Sequence, residues 1–171
     1  MTQNTEQNII LIGMPGSGKS TVGVLLAKNI AYNFVDTDVL IQVEAQRPLQ
    51  DIVDSEGYLA LRKIEEEVLL VLNLNKHIIS TGGSAVYSAA AMAHLKHNGL
   101  CVFLDVNLET LNLRIDNFTS RGIAKRPEQS FSEVFDERFK LYSNYADITI
   151  KCDALNAEQV CEEIMERLKS F

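Results

Sequence analysis

Short apolar runs recur along the chain, and all but the last end in glycine, an acid or a small polar residue. The first, Ile9-Ile10-Leu11-Ile12, is rich in β-branched side chains, the composition of a strand buried on both faces of a parallel sheet. Four more follow: Phe34-Val35 before Asp36, residues 77–80 before Thr81-Gly82-Gly83, residues 100–104 (Leu-Cys-Val-Phe-Leu) before Asp105, and residues 148–150. Between them apolar positions return every three or four residues, the helical period. Residues 21–30 place Val22, Leu25, Leu26 and Ile30 on one side, and similar patterns cover 56–72, 89–97, 108–116, 130–145 and 157–170. Strands alternating with helices predict a doubly wound α/β domain, a five-stranded parallel sheet with right-handed crossovers. Ligands of such sheets gather at the carboxyl ends of the strands. Gly13, Asp36, Asp38, Gly82 and Gly83 all follow strand ends, so they are expected to share one crevice.

The turn after the first strand carries the strongest chemistry. Gly13-Met14-Pro15-Gly16-Ser17-Gly18-Lys19-Ser20 fills G-x-x-x-x-G-K-[ST], the Walker A or P-loop pattern, and Thr21 opens the helix behind it. A glycine-rich turn at a helix start aims backbone N–H groups at phosphate oxygens. Lys19 then faces the β- and γ-phosphates, and the Ser20 hydroxyl is placed to ligate Mg²⁺. The expected cofactors are ATP and Mg²⁺. A GTPase is disfavoured, because the guanine-reading N-K-x-D is missing: Asn75-Lys76 runs on into His77-Ile78. No Leu-Ser-Gly-Gly-Gln element of ABC ATPases occurs either.

Composition narrows the partners. The 171 residues predict one domain spanning 1–171, long enough to bury about 70% of its unfolded surface. A net charge of −7 gives no footprint for nucleic acid or an anionic membrane. Residues 2–8 are polar, with no signal peptide, and no apolar stretch reaches membrane length; a cytoplasmic monomer is the expectation. Cys101, Cys152 and Cys161 show no metal spacing, and Cys101 lies in an apolar run as a buried thiol would. Residues 117–129 interrupt the alternation with Arg121, Lys125 and Arg126, one glycine and one proline. A long irregular insertion at such a place predicts an active-site lid.

Four further pieces follow the P-loop in order. Phe34-Val35-Asp36-Thr37-Asp38 is similar to a strand-2 element ending D-[ST]-D, and Arg62-Lys63-Ile64-Glu65 to R-x-x-E on a following helix. Ile79-Ser80-Thr81-Gly82-Gly83 is similar to a strand-3 T-G-G-G. Arg138-Phe139-Lys140-Leu141-Tyr142 with Ala146-Asp147 is similar to E-R-x-x-L-Y…A-D. Together, from residue 9 to about 150, they resemble the shikimate kinase family of small kinases with a nucleoside monophosphate kinase-like fold.

The resemblance implies ATP-dependent phosphorylation of a hydroxyl on a small carboxylated metabolite, shikimate. It implies Asp36 as the carboxylate that reaches Mg²⁺ through water, and Asp38 as the group that receives and orients the acceptor hydroxyls. Arg62 and Arg138 would clamp the acceptor carboxylate, with Glu65 orienting them and Gly82 and Gly83 lending backbone. Arg121 would reach the transferring phosphate from the lid, and Arg114 would lie against adenine. These roles suit phosphoryl transfer, which needs positioning and charge neutralisation, and two arginines form a natural fork for a carboxylate.

Three departures bear on the acceptor. Leu61 stands where the family carries Phe, and Ser84 replaces the third glycine, where it is expected to crowd or hydrogen-bond a ligand. The lid reads Arg121-Gly122-Ile123-Ala124 instead of Arg-Pro-Leu-Leu, with Arg126-Pro127 competing for the role. A kinase for gluconate or a nucleotide, and a non-catalytic ATP-binding regulatory module, remain alternative readings at this stage.

Overall fold

Five strands, β1 (Asn8–Ile12), β2 (Asn33–Asp36), β3 (His77–Ser80), β4 (Gly99–Asp105) and β5 (Ile148–Lys151), form one parallel sheet in the order β2-β3-β1-β4-β5. These are the strands expected from the apolar runs. This computed structural model describes residues 7–115 and 121–171. The expected lid is therefore described from 121 onward; residues 117–120, like residue 116 at the end of an expected helix and residues 1–6, lie outside the described residues.

The helices α1 (Lys19–Ile30), α4 (Tyr58–Leu70), α5 (Ala89–His97), α6 (Leu108–Arg114), α7 (Phe131–Tyr145) and α8 (Ala157–Leu168) occupy the periodic segments. Side-chain caps set several starts: Ser130 and Glu133 close a capping box on α7, and Asn156 and Gln159 do the same on α8. Every residue of β1 is buried, and the adjoining β4 supplies Cys101, Val102 and Leu104 at zero exposure. The sheet centre is thus the core, and the P-loop leaves from its middle strand. All three thiols are buried and unbridged, and burial pushes Cys101 up to about 12. No helix among the described residues is long and apolar enough to cross a membrane.

The apolar pattern did not predict two helices, α2 (Thr37–Ala45) and α3 (Leu49–Glu56), between β2 and α4. Both are short, and α2 buries only Thr37 and Ile41 while α3 buries only Ile52, so neither shows a wide apolar stripe. Their punctuation was nonetheless present. Asp36 caps α2, Pro48 precedes α3 and Gly57 ends it. With α4 and the stem of the lid they build a second, smaller apolar cluster of Ile41, Ile52, Leu61, Val68 and Ala124. This cluster forms one wall of the site.

Candidate active site

The P-loop leaves β1 through Gly13 at φ 149°, where a Cβ would stand 2.8 Å from the Leu104 carbonyl oxygen. Gly18, in the left-handed region at φ 94°, caps α1 without any side-chain hydrogen bond. The first N–H groups of α1 therefore keep the positive end of the helix dipole available to an anion. Lys19 is buried, and its Nζ donates to the carbonyl oxygens of Gly13 at 2.8 Å and Met14 at 2.9 Å. Burial lowers its pKa to about 8, against the pull of Asp38, so at neutral pH the ammonium keeps its charge. Met14 is buried and touches the Tyr142 hydroxyl through its sulfur. Ser17 is buried beside Gly13, whereas Pro15, Gly16 and Thr21 line the cavity that the loop borders.

Ser20, in the first turn of α1, meets Asp36 at the end of β2. Ser20 Oγ donates to Asp36 Oδ2 at 2.5 Å and lies 3.3 Å from Ser80 Oγ. Asp36 Oδ1 accepts from the backbone N–H of Asp38 at 3.0 Å. One Asp36 oxygen thus caps α2 while the other takes the Ser20 hydroxyl of the P-loop. Among the described residues no three His, Cys, Asp or Glu side chains gather as a metal cluster. A serine hydroxyl with one carboxylate is a hard oxygen pair that fits Mg²⁺, an ion that takes most of its ligands from water and phosphate.

The cavity holds about 380 Å³ and runs from the P-loop to Arg138, between α2, α3 and α4 on one side and residues 121–124 on the other. Ile41, Leu49 and Leu61 give it an apolar wall, and Leu61 occupies its place there without a phenyl ring. Two glycines let charged groups converge on it. A Cβ on Gly82 would press on Glu65 Oε1 and stand 2.7 Å from Asp38 Oδ1. One on Gly83 would stand 2.8 Å from Arg138 Nη1. Asp38 is half-buried in the first turn of α2, and its pKa is raised by burial and then by Asp36, against Lys19.

Arg138, on α7, is 1% exposed and donates from Nη2 to the Ala124 carbonyl oxygen at 2.9 Å. Arg62 Nη2 donates to the same oxygen at 3.2 Å, so the two guanidinium groups meet on one carbonyl. Arg62 itself lines an adjoining cavity of about 280 Å³, together with Glu65, Ser84 and Tyr87.

Glu65 is 3% exposed, and its hydrogen-bond partner is the Ser84 hydroxyl, not either arginine. Ser84 lines the main cavity and gives its hydroxyl to Glu65 on α4. Arg121 is exposed and lines the main cavity. Arg126 pairs instead with Glu137 at 3.4 Å and Glu128 at 3.6 Å. Arg114 closes α6 beside the P-loop, with Nη1 3.4 Å from the Gly16 carbonyl oxygen.

Burial raises the Glu65 pKa from 4.5 to about 7, with Ser84 opposing the rise. The folded protein thus favours protonated Glu65, and that contribution to stability is complete below pH 4.5 and lost as pH rises through 7. Glu65→Gln imitates the neutral form. Its melting temperature is expected to gain on the parent's between about pH 5 and about pH 8, and a gap independent of pH would contradict the burial reading.

Sequence reasoning missed Ile41 and Leu49 as cavity residues, Ala124 as the shared acceptor and Tyr87 behind the arginines. The first two sit on the helices whose stripes were too narrow to see. Ala124 acts through its backbone, which sequence cannot flag.

A phosphate-binding loop and a pocket carrying a buried arginine open on one continuous cavity, with a lysine and a carboxylate between them. That arrangement belongs to the P-loop kinases that phosphorylate small molecules. The chain is a member of the shikimate kinase family: the model of that family, Shikimate kinase, matches residues 15–169. A shikimate kinase of Sulfurihydrogenibium sp. is 35% identical over 164 residues, covering 95% of this chain and 98% of that protein. The solved shikimate kinase of Aquifex aeolicus superposes with a TM-score of 0.81 at 36% identity, over 95% of this chain and 96% of that one. The Acinetobacter baumannii enzyme, solved in complex with shikimate, gives a TM-score of 0.87 at 29% identity, over 97% of this chain and 94% of that one.

Proposed function

We propose that this chain transfers the γ-phosphoryl group of ATP to the 3-hydroxyl of shikimate, a step of aromatic amino acid biosynthesis. The observation that carries the acceptor is Arg138, fully buried yet opening on the same cavity as Lys19 and Asp38. A buried guanidinium is costly unless it is matched by charge or hydrogen bonds, and a carboxylated acceptor supplies both.

In this reading the start of α1 and the backbone of Gly13 to Thr21 hold the triphosphate, with Arg114 against the nucleoside. Arg138 and Arg62 hold the acceptor carboxylate, and Gly82 and Gly83 let it approach the sheet. Asp38 orients the acceptor hydroxyl. A carboxylate whose pKa is raised by burial is a better proton acceptor, so Asp38 also takes the hydroxyl proton as the oxygen attacks. The bond to the bridging oxygen of the β-phosphate breaks and ADP leaves, while Lys19 and Arg121 meet the charge on the transferring group. Ser20, with Asp36 behind it, would hold Mg²⁺, which when bound adds neutralising charge at the phosphates.

A coupled ADP-release assay with Mg·ATP tests this reading. Shikimate is expected to stimulate turnover strongly, and gluconate or a nucleoside monophosphate to leave it near the background. Stimulation by one of those others would move the acceptor, and ATP binding without any stimulation would return the chain to a regulatory role.

A further inference from the structure

Tyr87 takes no part in the chemistry described so far, yet it touches both clamp arginines and Glu137 of α7. It ends the 3₁₀ turn Ala85–Tyr87 that follows β3. Its ring centroid lies 3.5 Å from Arg62 Cζ and 5.4 Å from Arg138 Cζ, and Tyr58 adds a second ring 5.1 Å from Arg62. Its hydroxyl donates to Glu137 Oε1 at 2.5 Å. Glu137 Oε2 in turn accepts from Gln129 at 3.2 Å and Arg126 at 3.4 Å, both in the last part of the expected lid.

We propose that Tyr87 is a positioning residue for the acceptor carboxylate, holding Arg62 and Arg138 together on its ring while Glu137 fixes the ring through its hydroxyl. The proposal rests on the reading that these two arginines receive that carboxylate.

The physical need is plain. Two guanidinium groups that share the Ala124 carbonyl oxygen repel each other, and the burial of Arg138 weakens the screening between them. A carboxylate between them would hold them but would also consume the charge meant for the acceptor. An aromatic face attracts cations through its quadrupole while carrying no net charge, so the pair is held and stays positive. The Nε atoms of Arg62 and Arg138 are buried and form no hydrogen bond among the described residues. Neither arginine has its donors saturated by the protein.

The test is initial-rate kinetics on Tyr87→Leu, Tyr87→Met and Tyr87→Phe, with shikimate and with its uncharged methyl ester as acceptors. Losing the ring is expected to raise the KM for shikimate about tenfold, with kcat and the KM for ATP unchanged, and Tyr87→Phe is expected to recover most of the loss. The ester is expected to be used equally by the parent and by Tyr87→Leu. If Tyr87→Leu does not fold, Tyr87→Met carries the comparison. An unchanged KM for shikimate in the ringless variants, or an equal change with the ester, overturns the proposal. Arg138→Ala separates the two levels: a raised KM there with no effect at Tyr87 removes only the role of Tyr87. No effect at Arg138 removes the carboxylate reading beneath it.

Discussion

Replacing Lys19 with alanine is expected to lower kcat by about a thousandfold, judged from what single charged groups contribute to phosphoryl transfer. Lys19 is buried and held by the Gly13 and Met14 carbonyl oxygens at the mouth of the cavity. Its charge is therefore already in place when phosphate arrives, and little reorganisation is spent during the reaction. The fold should survive. Lys19 pays a desolvation penalty that lowers its pKa to about 8, so removing it relieves a cost as well as two hydrogen bonds. The same lowered value predicts an alkaline limb: kcat/KM for ATP falls as pH rises through about 8, because the free enzyme loses the ammonium there. Single-turnover rates and a thermal melt on Lys19→Ala check both halves. Near-normal turnover would remove the lysine from the mechanism, and a collapsed melt would make it structural.

Arg138→Ala is expected to raise the KM for shikimate about a hundredfold, the scale of losing a charge-assisted pair in a buried site, while ATP binding stays close to the parent's. The asymmetry follows from position. Arg138 stands against Gly83 and Ala124, at the end of the cavity away from the P-loop, and among the described residues its hydrogen bond goes to Ala124. Some stability is lost too, because the Ala124 carbonyl oxygen loses one of its two donors. Arg138→Lys should not restore activity, since a point charge cannot replace a planar fork. Varying each substrate in turn, with calorimetry for ATP, separates the outcomes; equal losses for both ligands would contradict a carboxylate clamp.

Much of this arrangement was legible in the chain. The P-loop announced itself because its geometry admits few residue types, and the β-branched runs announced the sheet because strands buried on both faces need continuous apolar sequence. Asp36 and Asp38 were legible as strand-end acids, although the division of labour between the two Asp36 oxygens needed coordinates. The helices α2 and α3 were not, since each buries so little that period alone is silent. The fate of Ser84 was also illegible. That its hydroxyl bonds Glu65 depended on where α4 packs, a tertiary fact. Arg62 shows the same limit: sequence put it on the acceptor side, while only the structure showed Tyr87 beneath it and a separate cavity beside it. Between Arg121 and Arg126 the sequence favoured Arg121, because Arg126 falls too close to Arg138 along the chain; in the structure Arg121 lines the cavity and Arg126 pairs with Glu128 and Glu137.

The most direct test of the central claim is to identify the product. With the enzyme, Mg·ATP and shikimate, ³¹P NMR together with mass spectrometry is expected to show one new phosphomonoester on the 3-hydroxyl of shikimate, formed mole for mole with ADP. Inorganic phosphate appearing in its place, with shikimate unchanged, would contradict the account.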